Sequence, residues 1–128
     1  MTLARIPPAG LYWIVQKSPT KNVEHHAILD VGNSIGYADV DPRHPIIVHQ
    51  TPPSIRRELF ADTGTWKVVT KIADEHAAAR RLIAACAMPV YSAVGNNCEH
   101  FARYIATGVR QSHQLQRIGF IAGVIGFA

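Results

Sequence analysis

Residues 96–101 read Asn-Asn-Cys-Glu-His-Phe, which places a cysteine at the predicted start of a helix. Downstream, apolar residues recur at the spacing of an amphipathic helix: Phe101, Ala102, Ile105 and Val109. Asn96 followed by Glu99 matches an Asn version of a capping box, so both are predicted to cap this helix. Cys98 then lies in the first turn, where unpaired N–H groups and the helix dipole favour a thiolate. The position is suited to a nucleophile, although for the cysteine taken alone a buried structural residue is the more common explanation.

The composition fits one globular domain. The chain has 128 residues, with 48% hydrophobic and 17% charged, which excludes a disordered polyelectrolyte. The formal net charge is +4, but the basic residues are scattered and form no arginine-rich stripe. We therefore expect no nucleic-acid partner. The same charge suits contact with anionic lipid headgroups.

The two cysteines, Cys86 and Cys98, show no pattern of a disulfide scaffold, which favours a reducing, cytoplasmic compartment. Residues 1–8 lack the basic start and apolar run of a signal peptide. No zinc-finger spacing is present. The sequence therefore predicts no metal site and no cofactor, and it leaves the oligomeric state open.

The last eleven residues, 118–128, are all apolar or glycine. A helix needs about 20 residues to span a bilayer. The segment is therefore interpreted as a buried tail, an interfacial segment or the first part of a membrane anchor. We expect one domain over residues 1–117, followed by this apolar tail as a membrane contact.

The order of elements predicts an α+β fold, with strands first and the cysteine helix late. Strands are predicted by β-branched and aromatic runs between turn residues. The clearest helix is rich in alanine and begins at an acidic pair. The predicted strands are 11–15, 23–31, 46–50 and 66–69, and the helices are 74–87 and the segment that follows residue 96. Residues 54–59 are interpreted as a short basic connection, and residues 90–94 as extended.

Two of the seven histidines, His25 and His49, lie inside apolar strands, where an imidazole needs a partner. Pairing of these strands would bring both side chains to one sheet, and a cysteine nucleophile needs such a base with an orienting group. Strand alternation separates His25 from His26, and we expect His25 to face the cysteine helix. Spacing alone does not choose between these neighbours. Alternatively, both histidines are core or rim residues whose ring nitrogens are hydrogen-bonded. The remaining histidines are predicted to be surface or structural residues: His44, His76, His100 and His113.

Residues 91–101 closely resemble the lecithin–retinol acyltransferase family. Its hallmark is Asn-Cys-Glu-His-Phe with a tyrosine seven residues before the cysteine, and Tyr91 meets that spacing. Residues 25–32, His-His-Ala-Ile-Leu-Asp-Val-Gly, are similar to the family's first strand motif, and residues 47–52, Ile-Val-His-Gln-Thr-Pro, to its second. The resemblance covers essentially the whole domain.

The resemblance implies a circularly permuted papain-like fold, with an antiparallel sheet packed against the cysteine helix. It implies a thiol-dependent lipid acyltransferase or phospholipase A that acts on phospholipid or another acyl-lipid. Cys98 would form the acyl-thioester, His25 would be the base and His49 would orient it. Tyr91 and Asn97 would support the oxyanion, although a packed strand tyrosine is the alternative for Tyr91.

Four positions depart from the family pattern, and among them His26 replaces an aromatic residue and Leu29 replaces a tyrosine. Ala106 and Thr107 also stand where the family has Arg-Tyr. Two other functions remain open. One is a related NlpC-type cysteine peptidase or amidase, and the other is a non-catalytic membrane-associated interaction module.

Overall fold

The computed structural model describes residues 5–17, 24–51, 54–87 and 98–109, and these residues form five strands, one 3₁₀ turn and two α-helices. The strands are β1 (Gly10–Lys17), β2 (Glu24–Val31), β3 (Ile46–Thr51), β4 (Ser54–Leu59) and β5 (Lys67–Lys71). The 3₁₀ turn is Phe60–Asp62, and the helices are α1 (Glu75–Cys86) and α2 (Cys98–Thr107). The predicted α+β class is confirmed.

All strand pairs in the sheet are antiparallel, and the strand order is β4-β3-β2-β1-β5. The first four strands are neighbours in both chain and space, and β5 returns to the free edge of β1. The pairing of β1 with β2 runs from Gly10↔Val31 to Lys17↔Glu24. The predicted pairing of the two histidine strands is confirmed, with Ile28 opposite Val48.

The interpretation of residues 54–59 as a basic connection is wrong, because this segment is the edge strand β4. It pairs with β3 along its whole length, from Ile46↔Leu59 to Thr51↔Ser54. Its sequence, Ser-Ile-Arg-Arg-Glu-Leu, lacks the β-branched and aromatic run by which the other strands were predicted. Charged side chains are tolerated here because this edge strand faces water. Backbone pairing with the apolar β3 outweighs the weak local preference of the segment.

Helix α1 begins where the sequence predicts, because Asp74 caps it by accepting a hydrogen bond from the Ala77 amide at 3.0 Å. Its buried stripe consists of Ala78, Ala79, Leu82 and Ala85. Ile83, which follows Leu82 in the chain, is 45% exposed. The buried side of this helix therefore consists of three small alanines and Leu82.

Helix α2 buries His100, Phe101, Ala102 and Ile105. It ends at Gly108, which has φ +79° and whose amide donates to the Tyr104 carbonyl at 2.7 Å. Val109 follows this end and is 48% exposed, so it is not part of the packed stripe. The buried stripe of α2 fixes its first residue, Cys98, against the sheet.

Apolar side chains cover both faces of the sheet. On the helix face, Trp13, Ile28 and Val48 pack with residues of both helices, including Leu82 and Phe101. On the opposite face lies a second group of buried side chains: Tyr12, Ile14, Ala27, Leu29, Val31, Ile47 and Trp66. Successive residues of β2 therefore point into different clusters, as strand alternation predicts.

A buried carboxyl group shapes the connection between the two histidine strands. Asp30, only 1% exposed, accepts hydrogen bonds from the amides of Ser34 at 2.7 Å and Ile35 at 3.2 Å. Burial raises the pKa of Asp30, and these two hydrogen bonds oppose the rise. The turn that they hold directs the chain back toward β3.

In the part of the chain that the structure describes, no helix combines the length and hydrophobicity needed to cross a bilayer. Several predictions fall on residues outside that part. They concern the extended segment 90–94, the side chains of Tyr91, Asn96 and Asn97, His113, and the apolar tail 118–128.

Candidate active site

Cys98 is the first residue of α2, and its sulfur lies against the start of β2. The His26 amide donates to Cys98 Sγ at 3.3 Å, and the thiol donates to the Glu24 carbonyl oxygen at 3.8 Å. Glu24 and His26 flank His25 in the chain. The sulfur is therefore placed beside the backbone of His25.

The sulfur lies on the edge of β2 that faces β3. Strand β1 occupies the other edge, and the His26 amide donates to sulfur rather than to β1. The pairing of β2 with β3 runs from Asp30↔Ile46 to Ile28↔Val48. Cys98 contacts residues 24 and 26 of β2, beyond the last of these pairs.

The two strand histidines are in direct contact. His25 Nε2 and His49 Nδ1 are 2.7 Å apart, and the rings meet edge to face with centroids 5.0 Å apart. Trp66 packs against His25 with ring centroids 5.9 Å apart, and His49 is only 7% exposed. The structure thus brings together the base and orienting group proposed from the sequence.

A carboxylate that sequence reasoning missed extends this pair. His49 Nε2 lies 2.6 Å from Oε2 of Glu58, which is on the edge strand β4. Glu58 lies opposite Ile47 in the pairing of β3 with β4. Because Ile47 and His49 are two residues apart on β3, both point to the same face of the sheet, and the side chain of Glu58 shares that face. If residues 54–59 had been recognised as a strand, side-chain alternation along it would have predicted that Glu58 shares a face with His49.

Burial lowers the pKa of His25 to about 4, with further lowering from the nearby His49 and His26 and a smaller opposing effect from Glu58. The imidazole is therefore neutral at physiological pH. A neutral imidazole has one nitrogen lone pair that can accept a proton.

His26 lies on the helix face of β2, and the expected orientation of the two histidines is therefore wrong. His26 shares its face with Ile28, which packs with Phe101, whereas His25 shares its face with Ala27 and Leu29. Alternation was assigned correctly, but the sequence does not show which face the helices cover. The Cys98 sulfur contacts the main chain on both sides of His25, at the Glu24 carbonyl and the His26 amide.

His26 is poorly suited to accept the thiol proton. Trp13 Nε1 donates to His26 Nδ1 at 2.9 Å. Because an indole N–H only donates, the Nδ1 lone pair is occupied and neutral His26 carries its proton on Nε2. Burial lowers the pKa of His26, although Glu99 and Glu24 oppose this. Proton uptake at Nδ1 would break the bond to Trp13.

The remaining candidates have other surroundings. Glu99 pairs with Arg103 at 2.9 Å, an i,i+4 ion pair on α2; its predicted bond to Asn96 lies outside the described residues. Cys86 is half-buried beside the helix-face cluster, and burial raises its pKa. His100 is buried, whereas His44 and His76 are exposed. Cys98 is thus the thiol that lies beside histidines.

Comparison of the chain with protein-family models, with curated proteins and with solved structures gives no match. Over residues 5–17, 24–51, 54–87 and 98–109, no group of three or more His, Cys, Asp or Glu side chains is arranged to hold a metal ion. The chemistry proposed for this site therefore depends on its own geometry and on the resemblance of its sequence motifs.

We predict that His25, and not His26, controls the reactivity of Cys98. In a Cys86→Ala background, His25→Ala should slow alkylation of Cys98 by iodoacetamide at pH 7 by about tenfold or more, because the thiol loses its proton acceptor. His26→Ala should change the rate by less than about threefold. Mass spectrometry of the modified protein measures both rates. A larger effect of His26→Ala than of His25→Ala would show that His26, and not His25, is the base.

Proposed function

We propose that this domain is a thiol-dependent lipid acyltransferase or phospholipase A, with Cys98 as nucleophile and His25 as base. One observation carries the proposal. The thiol at the start of α2 lies beside the backbone of His25, and the imidazole of His25 is hydrogen-bonded to His49. A nucleophile, a base and an orienting group are the three parts that such catalysis requires.

The proposed architecture is a circularly permuted papain-like fold. The support is the order of the parts: the two histidine strands precede the cysteine helix in the chain, and α2 packs against β1, β2 and β3. An antiparallel sheet carrying the histidines, with a helix carrying the cysteine, is what the sequence resemblance implies.

The reaction proceeds in two half-reactions. His25 accepts the Cys98 proton, and the sulfur attacks the ester carbonyl of an acyl-lipid. A C–S bond forms, the ester C–O bond breaks, and the leaving alcohol takes the proton from His25. Water or an amine or alcohol acceptor then attacks the thioester and gives its proton to His25. The thiolate leaves and is reprotonated, so protons and electrons balance over the cycle.

Stabilisation of the oxyanion is assigned to the start of α2. Its first amides, that of Cys98 included, have no partner within the helix and are suited to a developing negative charge. Tyr91 and Asn97 remain proposed donors on the basis of the family resemblance. Their positions fall outside the described residues.

An acyl-lipid donor is proposed in preference to a peptide. The support is the Asn-Cys-Glu-His-Phe string and the apolar residues 118–128. The tail, together with the net charge of +4, supports a cytoplasmic protein that associates with membranes. The two half-reactions and the membrane contact can be tested separately.

We predict that incubation with phospholipid vesicles adds one fatty-acyl mass to the protein, at Cys98. Cys98→Ala should abolish this adduct and the release of free fatty acid, and Cys86→Ala should retain both. Intact-mass analysis with peptide mapping locates the adduct. No adduct or lipid turnover in the folded parent protein, together with cleavage of peptide or amide substrates, would favour the NlpC-type peptidase.

We predict that residues 118–128 provide the membrane contact. Their removal should sharply lower co-sedimentation with anionic vesicles, because apolar area gains about 25 cal/mol per Å² when it leaves water. Turnover of a short soluble ester should stay within about threefold of the parent, since the proposed catalytic residues lie before residue 118. Equal vesicle binding by both chains would contradict the prediction, and unfolding of the shortened chain would show that the tail belongs to the core.

A further inference from the structure

We propose that Glu58 is a positioning residue that sets the proton positions on both catalytic histidines through its hydrogen bond to His49. This inference rests on the proposed role of His25 as base. Glu58 lies on β4, whereas the two histidines lie on β3 and β2, so three adjacent strands each contribute one member of a continuous chain.

The first step is the contact between Glu58 and His49. A carboxylate has no hydrogen to donate, so the 2.6 Å contact with His49 Nε2 requires that this nitrogen carries the proton. A hydrogen bond to a carboxylate is also stronger than one between neutral groups. Glu58 thereby selects one tautomer of neutral His49.

The second step passes this choice to His25. With its proton on Nε2, neutral His49 has a lone pair on Nδ1 and accepts a hydrogen bond there. The partner at 2.7 Å is His25 Nε2, which must therefore donate. Neutral His25 then has its proton on Nε2 and a free lone pair on Nδ1.

This lone pair is on the nitrogen that the reaction needs. Nδ1 is the ring nitrogen closer to the main chain, and Cys98 Sγ lies beside the main chain at residues 24–26. The chain Glu58–His49–His25 therefore leaves the lone pair on Nδ1, the ring nitrogen nearer to the main chain that the thiol contacts. The pKa of His25, lowered by burial, keeps this lone pair available at neutral pH.

The opposite arrangement fits the same distances between heavy atoms. His49 could donate from Nδ1 to His25 Nε2, and His25 would then carry its proton on Nδ1 and could not accept one from the thiol. Without Glu58, the first arrangement would leave the Nε2–H of the buried His49 without its acceptor, which is unfavourable. Removal of the carboxylate should therefore reverse the chain of hydrogen bonds.

The test is the tautomer of His25, measured by ¹⁵N NMR of the histidine rings in the full chain at pH 7, with signals assigned by single-histidine variants. We expect His25 to be protonated on Nε2 in the parent. Glu58→Gln presents either an oxygen or an NH₂ group to His49 and should give a mixture of tautomers. Glu58→Leu should give mainly the form protonated on Nδ1.

Asp39→Asn is the matched control. Asp39 is another acidic residue close to β4, where it pairs with Arg57 at 3.0 Å, and its removal leaves the His49 contact in place. This variant should retain the parent tautomer. The inference is overturned if His25 carries its proton on Nδ1 in the parent, or if folded Glu58→Gln retains the parent tautomer alone. Glu58→Gln, which is close in size to the parent side chain, gives a decision even when Glu58→Leu does not fold.

A kinetic readout connects the tautomer to catalysis. Glu58→Leu, or Glu58→Gln if the leucine variant does not fold, should lower kcat for a soluble ester while KM stays within about twofold, because Glu58 acts through the base. We expect a decrease in kcat of about tenfold for Glu58→Leu and a smaller one for Glu58→Gln. The NMR measurement needs no lipid substrate. If the Glu58 variants change the tautomer of His25 but the parent transfers no acyl group, the proposed function alone is refuted. If the parent transfers acyl groups but the Glu58 variants leave the tautomer unchanged, the role of Glu58 alone is refuted.

Discussion

The hydrogen bond between His25 Nε2 and His49 Nδ1 is the contact on which the site depends, because it joins two strands at the position of the thiol. Both rings are held by their surroundings. His49 is almost fully buried and bonded to Glu58, and His25 packs against Trp66. The imidazole of His25 stays neutral in this environment, since burial and the neighbouring rings disfavour a charge on it. The sheet thus provides a proton acceptor rather than a cation.

The fold positions the thiol by a different set of contacts. Phe101, Ala102 and Ile105 bury one side of α2 against the sheet, and Gly108 ends the helix one residue beyond Thr107. The first residue of the helix is thereby held at the exposed backbone groups of β2. The tautomer of His26, fixed by Trp13, then separates the roles of the two adjacent histidines.

Much of this arrangement could be predicted from the sequence. β-Branched runs located β1, β2, β3 and β5, an acidic cap and alanines located α1, and the spacing after Cys98 located the buried side of α2. Pairing of the two apolar histidine strands followed from their order in the chain. These features are local or involve neighbouring elements, so a single sequence carries enough information about them.

The features that were missed depend on contacts between distant segments. β4 has four polar residues in six and forms a strand because β3 offers it a pairing edge. Glu58 could not be recognised without that strand register. The face of β2 that the helices cover is decided by packing of Ile28 with Phe101, and alternation alone is symmetric between the two faces.

We propose that Cys98, His25 and His49 act as one unit, in which His49 acts only through His25. A double-mutant cycle on kcat/KM for a soluble thiol-reactive ester tests it directly, using His25→Ala, His49→Ala and the double variant. We expect the double variant to be no slower than His25→Ala, within about twofold, because removal of the base already removes the function of its orienting partner. Losses that multiply in the double variant would show that the two histidines act independently and would contradict the account.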